Sequence, residues 1–270
     1  MWHFYNILFA LIILRPEFTK AQDSIKCENF FAISFHAGNN VLRDELMSPL
    51  KYSGVSFAPS FAINFCGKKT IHSVELEYAY AKLTSANYKV LTGNYIVNER
   101  GSVNYFFSKK IIQSSKNTSY YLGTALTNTI DVRRHTSLFV FGEFVSSLNI
   151  LGMFNRTFNF LHKELKFSYR AYLPFVNFMV TPNYAYSPPD DFFEQNSYYE
   201  KGKFKRFLNS GNINSVNYFF RFNNRIAIEK IIKHNNKLAL YYDFDYYSYK
   251  FPQPVKKGKS SVGFSLITIF

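Results

Sequence analysis

The sequence predicts an all-β protein, a transmembrane antiparallel up-and-down β-barrel of about ten strands. Three observations predict it. Apolar residues alternate strictly with small or polar ones over long stretches, the period of a strand with two unlike faces. These stretches outrun soluble strands, which mostly stop at about 5–6 residues. Phe, Trp and Tyr make up 20% of the chain, with 31 Phe and 21 Tyr; such residues form the girdles at the two interfaces of a membrane barrel.

Residues 1–21 read as an export signal. The apolar run from Ile7 to Leu14 is too short to cross a bilayer as a helix. Thr19 and Ala21 then offer a small-residue cleavage site before Gln22. The barrel domain is accordingly 22–270. Its first strand is placed at Phe30–Gly38. The second, Ser53–Phe65, sets Val55, Phe57, Pro59, Phe61, Ile63 and Phe65 against Ser56, Ala58, Ser60, Ala62 and Asn64. Thr70–Leu83 follows, with Val74, Leu76, Tyr78 and Tyr80 on one face and Glu75, Glu77 and Ala79 on the other. Ser102–Ile112 is next. Ser119–Arg133 sets Leu122, Leu126 and Ile130 against Gly123, Ala125, Thr127, Asp131 and Arg133. Leu138–Leu151 and Leu161–Phe178 come after it. Ile213–Ile232 is read as one strand. Asn223 and Asn224 could form a hairpin turn, but Val216, Tyr218, Phe220, Phe222, Ile226 and Ile228 hold one register through them. Lys237–Lys250 alternates Leu238, Leu240, Tyr242, Phe244 and Tyr246 with Ala239, Tyr241, Asp243, Asp245 and Tyr247, and Ser260–Phe270 closes the chain. Eight or twelve strands are the alternatives if one is split or merged.

Alternation alone does not say which face is inside; a soluble lipocalin-like barrel would bury the apolar one. Lipid outside is favoured by the small residues of the polar register, by its charges of both signs, and by the strand lengths, since a membrane strand needs about 9–11 residues. The inward register then carries Glu75, Glu77, Asp131, Arg133, Glu143, Glu164, Lys166, Arg170, Arg221, Arg225, Glu229, Asp243 and Asp245. Paired carboxylates such as Glu75/Glu77 could serve acid–base chemistry. A small barrel fills its interior with side chains and buried charges must be paired, so a salt-bridged plug is the stronger expectation. His36 and His162 could also face the lumen, without a catalytic motif around either. No metal-ligand spacing, P-loop or nucleotide fingerprint appears, so neither a metal nor a cofactor is expected.

The last segment alternates Val262, Phe264, Leu266, Thr268 and Phe270 with Gly263, Ser265, Ile267 and Ile269. It resembles the final strand of a bacterial outer-membrane barrel, which implies that Phe264, Leu266 and Phe270 are read by the barrel-assembly machinery. Ala37-Gly38-Asn39-Asn40, followed by Ser48 to Gly54, resembles the first hairpin of Bacteroidetes-type outer-membrane β-barrel proteins, and Tyr121-Leu122-Gly123-Thr124 fits the same picture. The resemblance implies a fold and a compartment, the bacterial outer membrane reached through the periplasm. It implies no catalytic residues.

With Phe270 in the periplasm, Gly67–Lys69, Ser114–Thr118, Asn155–Phe158 and His234–Asn236 become short periplasmic turns. Asn39–Tyr52, Thr84–Gly101, Met179–Asn212 and Phe251–Lys259 become longer outer loops, with a tight one at Arg134–Thr136. Cys27 and Cys66 then fall on the periplasmic rim of neighbouring strands, where a disulfide can form. Lys201, Lys203, Lys205 and Arg206 cluster in one outer loop, and Lys256, Lys257 and Lys259 in another. The formal net charge of +14 would suit nucleic acid, but an exported chain without a binding motif does not meet it. Outer-membrane lipid and lipopolysaccharide are the expected anionic partners. The function expected is non-enzymatic, a structural or accessory subunit of a larger outer-membrane transport or secretion complex. A narrow passive channel is the alternative, and a membrane-embedded hydrolase a weaker one.

Overall fold

A computed structural model of the chain describes residues 28–45, 48–85, 95–115, 117–135, 140–161, 163–180, 211–233, 235–250 and 254–270. The expected export signal and Cys27 lie outside them, as do His162 and the Lys201, Lys203, Lys205 and Arg206 cluster. The described residues form strands β1 (Phe30–Asp44), β2 (Ser48–Cys66), β3 (Thr70–Ser85), β4 (Tyr95–Ser115), β5 (Thr118–His135) and β6 (Val140–Phe160). They continue as β7 (Lys163–Val180), β8 (Asn212–Ser215), β9 (Phe219–Lys233), β10 (Asn236–Tyr249) and β11 (Val255–Ile269). Among them no helix is long and apolar enough to cross a membrane.

Every pairing is antiparallel, and β1 pairs with both β2 and β11, which closes the wall into a barrel of 10 strands with β8 as a short addition on β7. The strands are tilted and staggered, as closure requires. A line of partners shows it. Cys66 at one rim faces Ile71, then Ser108, Gly123, Leu151, Tyr172, Asn223, Asp245 and Lys259, and the line returns to β1 at Asn40, well toward the other rim. We call the rim holding Phe30 and Ile269 the terminal rim and the opposite one the loop rim.

The burial alternation fixes inside and outside. Along β5, Leu122, Leu126 and Ile130 are exposed, whereas Tyr121, Ala125, Thr127, Thr129, Asp131 and Arg133 are buried. The other strands repeat this, with Phe35, Phe57, Leu76, Tyr105, Ile150, Phe175, Leu240 and Phe264 outside and mostly polar residues inside. An apolar outer belt around a polar interior suits hydrocarbon as the solvent and not water. Polar groups on the belt satisfy one another: His72 Nδ1 and the Tyr105 hydroxyl lie 2.8 Å apart.

Several boundaries differ from the sequence reading. The strands are longer at the loop rim. β1 continues to Asp44, β3 to Ser85, β4 begins at Tyr95 and β11 at Val255, so much of three expected outer loops is wall. Polar residues there face a polar interior, and polarity alone imitates a loop. Asn155–Phe158 is strand too, because β6 runs to Phe160 and the turn falls at Leu161, whose φ of 49° is left-handed. The expected Ile213–Ile232 strand passes straight through Asn223 and Asn224, but breaks at a turn in which the Tyr218 amide donates to the Ser215 carbonyl. The break has a cause on β7. Pro174 has no amide to donate, the β6–β7 register shifts beside it at Leu148/Asn149, and β7 pairs with β9 up to Tyr172 but with β8 from Val176.

Candidate functional site

The inward residues of all ten wall strands converge in the lumen. Near the loop rim one network centres on Arg133. Its Nη1 donates to Asp44, its Nε to Asp131 at 3.2 Å, and its Nη2 to Glu143 at 2.6 Å and to the Tyr247 hydroxyl at 2.9 Å. Lys257 pairs with Asp131 and donates to Asn98 Oδ1 at 2.7 Å, while Asn98 donates to Asp131 at 2.6 Å. The Tyr249 hydroxyl reaches Glu143 at 2.7 Å. Tyr247 and Tyr249 stack on Phe219 and belong to an apolar cluster with Leu42, Tyr52, Leu83, Ile96 and Val255, so charged and apolar packing interlock at this rim.

A second network lies deeper. Arg221 clasps Asp245 with two bonds of 2.9 Å, and Arg100 reaches the same carboxylate at 2.7 Å. Arg225 clasps Asp243 at 2.7 and 2.9 Å and bonds Glu75 at 2.8 Å. Arg170 meets the other Glu75 oxygen at 2.9 Å and lies over the Phe106 ring at 4.1 Å. Lys259 donates to Glu77 at 2.7 Å. Planar forks against carboxylates give fixed geometry as well as attraction. Phe106, Ala125, Leu151 and Tyr172 pack beside this network, and Ala32, Ala239 and Ile267 pack toward the terminal rim. What stays open between Glu75, Arg100, Asn104, Arg170, Arg221 and Asp245 is a space of about 30 Å³, room for only a few water molecules.

The sequence-predicted charges fare as follows. Glu75, Glu77, Asp131, Arg133, Glu143, Arg170, Arg221, Arg225, Asp243 and Asp245 all take part in these networks. Lys166 and Glu229 pair with each other at 3.3 Å, apart from the rest. Glu164 shares the inward register of Lys166 but is exposed near the terminal rim, outside the network. The outer basic loop Lys256, Lys257 and Lys259 is corrected. These residues belong to β11; Lys257 and Lys259 are buried lumen groups, and Lys256 alone faces outward. The sequence reading missed Asp44, Asn98 and Arg100 as lumen residues. Carrying the inward parity of β1 and β4 past the expected strand ends reaches all three.

His36 is buried between two carboxylates, with Nδ1 3.4 Å from Asp243 and Nε2 3.6 Å from Glu77, and Ser261 Oγ lies 3.3 Å from Nδ1. Serine, histidine and aspartate thus meet, but not as a proton relay. A relay needs the nucleophile on one ring nitrogen and a carboxylate hydrogen-bonded to the other, whereas Ser261 and Asp243 share Nδ1, and Glu77 stands 3.6 Å from Nε2, beyond hydrogen-bond reach. Ser261 is also 2% exposed, so no substrate reaches it. Among the described residues no group of three His, Cys, Asp or Glu is arranged to hold a metal ion.

No family model matches this chain, and no curated protein does. Solved structures of outer-membrane barrels resemble it. The outer membrane protease OmpT from Escherichia coli is 6% identical, covers 93% of this chain and 99% of its own, and gives a TM-score of 0.48. The transport unit of the autotransporter AIDA-I from Escherichia coli is 9% identical over 98% of this chain and 97% of its own, with a TM-score of 0.45. Neisserial surface protein A is 10% identical over 87% and 96%, with a TM-score of 0.36. At such values the likeness carries no function across; the barrel reading rests on the ladders and the burial pattern.

Proposed function

We propose that this chain is an integral protein of the bacterial outer membrane that neither catalyses a reaction nor passes solutes by itself, and that it serves as a structural or accessory subunit of a larger transport or secretion complex. The filled lumen carries this reading. Among the described residues, fork-paired charges and packed aromatics occupy the interior, and the space among the charges of the deeper network is about 30 Å³ where a channel needs a wide continuous path. A wall protein with no passage and no accessible relay acts through its surfaces. The outer apolar belt supports residence in a bilayer. Export through the periplasm and recognition of the last strand by the barrel-assembly machinery belong to the same proposal, as does a Bacteroidetes-type affinity, which rests on the first-hairpin residues, Tyr121–Thr124 and the terminal Phe270.

Purification of the tagged chain from its native membrane in mild detergent tests the role. A second, larger outer-membrane protein recovered in fixed stoichiometry is the expected result. Recovery of the barrel alone, with lipid only, contradicts the accessory role.

A further inference from the structure

Outside the lumen, three cations face one another on the outer wall. Arg43 of β1 lies directly opposite Lys51 of β2 and directly opposite Lys256 of β11. All three point outward, since their chain neighbours Asp44, Tyr52, Val255 and Lys257 are the buried ones. Like charges directly opposite in a sheet repel. The row has one counter-charge among the described residues, Glu45 at 3.2 Å from Arg43. Two other cations at this rim have partners: Arg134 pairs with Glu99 at 2.7 Å, and Lys82 lies 4.1 Å over the Tyr95 ring.

The row also has a fixed relation to the belt. On the same three strands, four to eight residues toward the terminal rim, stand Phe35, Val55, Phe57, Val262 and Phe264, each at least half exposed. A ligand that satisfies both features is anionic at one end and hydrocarbon at the other. Neighbouring strands are about 4.8 Å apart, so the three side chains spread over about 10 Å, wide enough for more than one phosphate.

We propose that Lys51, Arg43 and Lys256 form a binding site for the phosphate groups of a lipid A-type glycolipid, its acyl chains lying on the β2–β1–β11 face of the belt. This rests on the outer-membrane reading above but not on the accessory role. Free phosphate would gain the cations and leave the belt unused, so the lipid is the ligand.

The test is native mass spectrometry of the refolded barrel in detergent with added diphosphoryl lipid A. The R43Q/K51Q/K256Q variant should retain less of the lipid by about a hundredfold. A variant with the same charge change at the terminal rim, K68Q/K109Q/K230Q, should retain it like the unaltered chain. Dephosphorylated lipid A should be lost from both, and inorganic phosphate should not displace the diphosphoryl lipid. Heat-modifiable migration shows that each variant is folded. Equal retention by R43Q/K51Q/K256Q and the unaltered chain overturns the site; so does equal retention of dephosphorylated lipid, or displacement by inorganic phosphate. Copurification reports on the accessory role separately, and its failure leaves the lipid result standing.

Discussion

Arg133 shows how much one residue can organise. It is 2% exposed and bonds three carboxylates and a tyrosine. Removing one partner of a buried ion pair leaves uncompensated charge, a cost of about 3–5 kcal/mol. Arg133→Met should therefore lose about that much stability, measured by reversible urea unfolding in lipid vesicles, whereas Arg43→Gln on the outer wall should change it little. On the lipid face, Leu126→Arg should cost about 2–4 kcal/mol in the same assay. Its inward neighbour Thr127 is fully buried beside Asn149 Nδ2 at 3.2 Å, so Thr127→Arg is not the mild change that a roomy lumen would allow. At this scale the sequence was legible where parity was strong. Asp131, Arg133, Asp243 and Asp245 stand inside a run of alternating neighbours, and their side of the wall follows. Their partners were not legible. Arg221 meets Asp245 on the next strand, but Arg133 meets Asp44 across the lumen, and nothing local in a sequence encodes that second distance.

Elements obey the same division. Strand existence was readable from period, but strand ends were not, because the outer portions of β1, β4 and β11 carry Asn40, Asp44, Asn98, Arg100, Lys257 and Lys259 inward. Such residues mark loops in a soluble protein and wall in a barrel with a charged interior. Close packing between elements is set by small residues. A side chain on Gly263 would meet His36 Cβ at 2.5 Å, Tyr241 Cζ at 2.6 Å and the Phe35 carbonyl at 2.7 Å. Gly263→Val should cost about 1–3 kcal/mol by overpacking, seen as a lower temperature for the heat-induced gel shift. The first two strands offer another check. Cys66 ends β2 with its amide bonded to Asn29 Oδ1 at 2.9 Å, and no described cysteine is free. A bridge to Cys27 is the proposal. Intact-mass measurement should find no alkylated thiol before reduction and two after it; two alkylated thiols in the unreduced protein contradict the bridge.

At the scale of the molecule, charge balance and closure belong together. In the two lumen networks Arg100, Arg133, Arg170, Arg221, Arg225, Lys257 and Lys259 are matched in number by Asp44, Glu75, Glu77, Asp131, Glu143, Asp243 and Asp245. A matched set leaves little net field to draw an ion inward, and its forks hold side chains across the path that an ion would take. Among the described residues, exposed cations also lie outside the plug, and the Lys51–Arg43–Lys256 row is one instance. The central claim is that the barrel is shut. Planar-bilayer recording of the purified protein tests it most directly. The account predicts a flat baseline, with no steady single-channel steps. Reproducible steps whose size changes in Glu75→Gln and Glu77→Gln would contradict it and establish a conducting lumen.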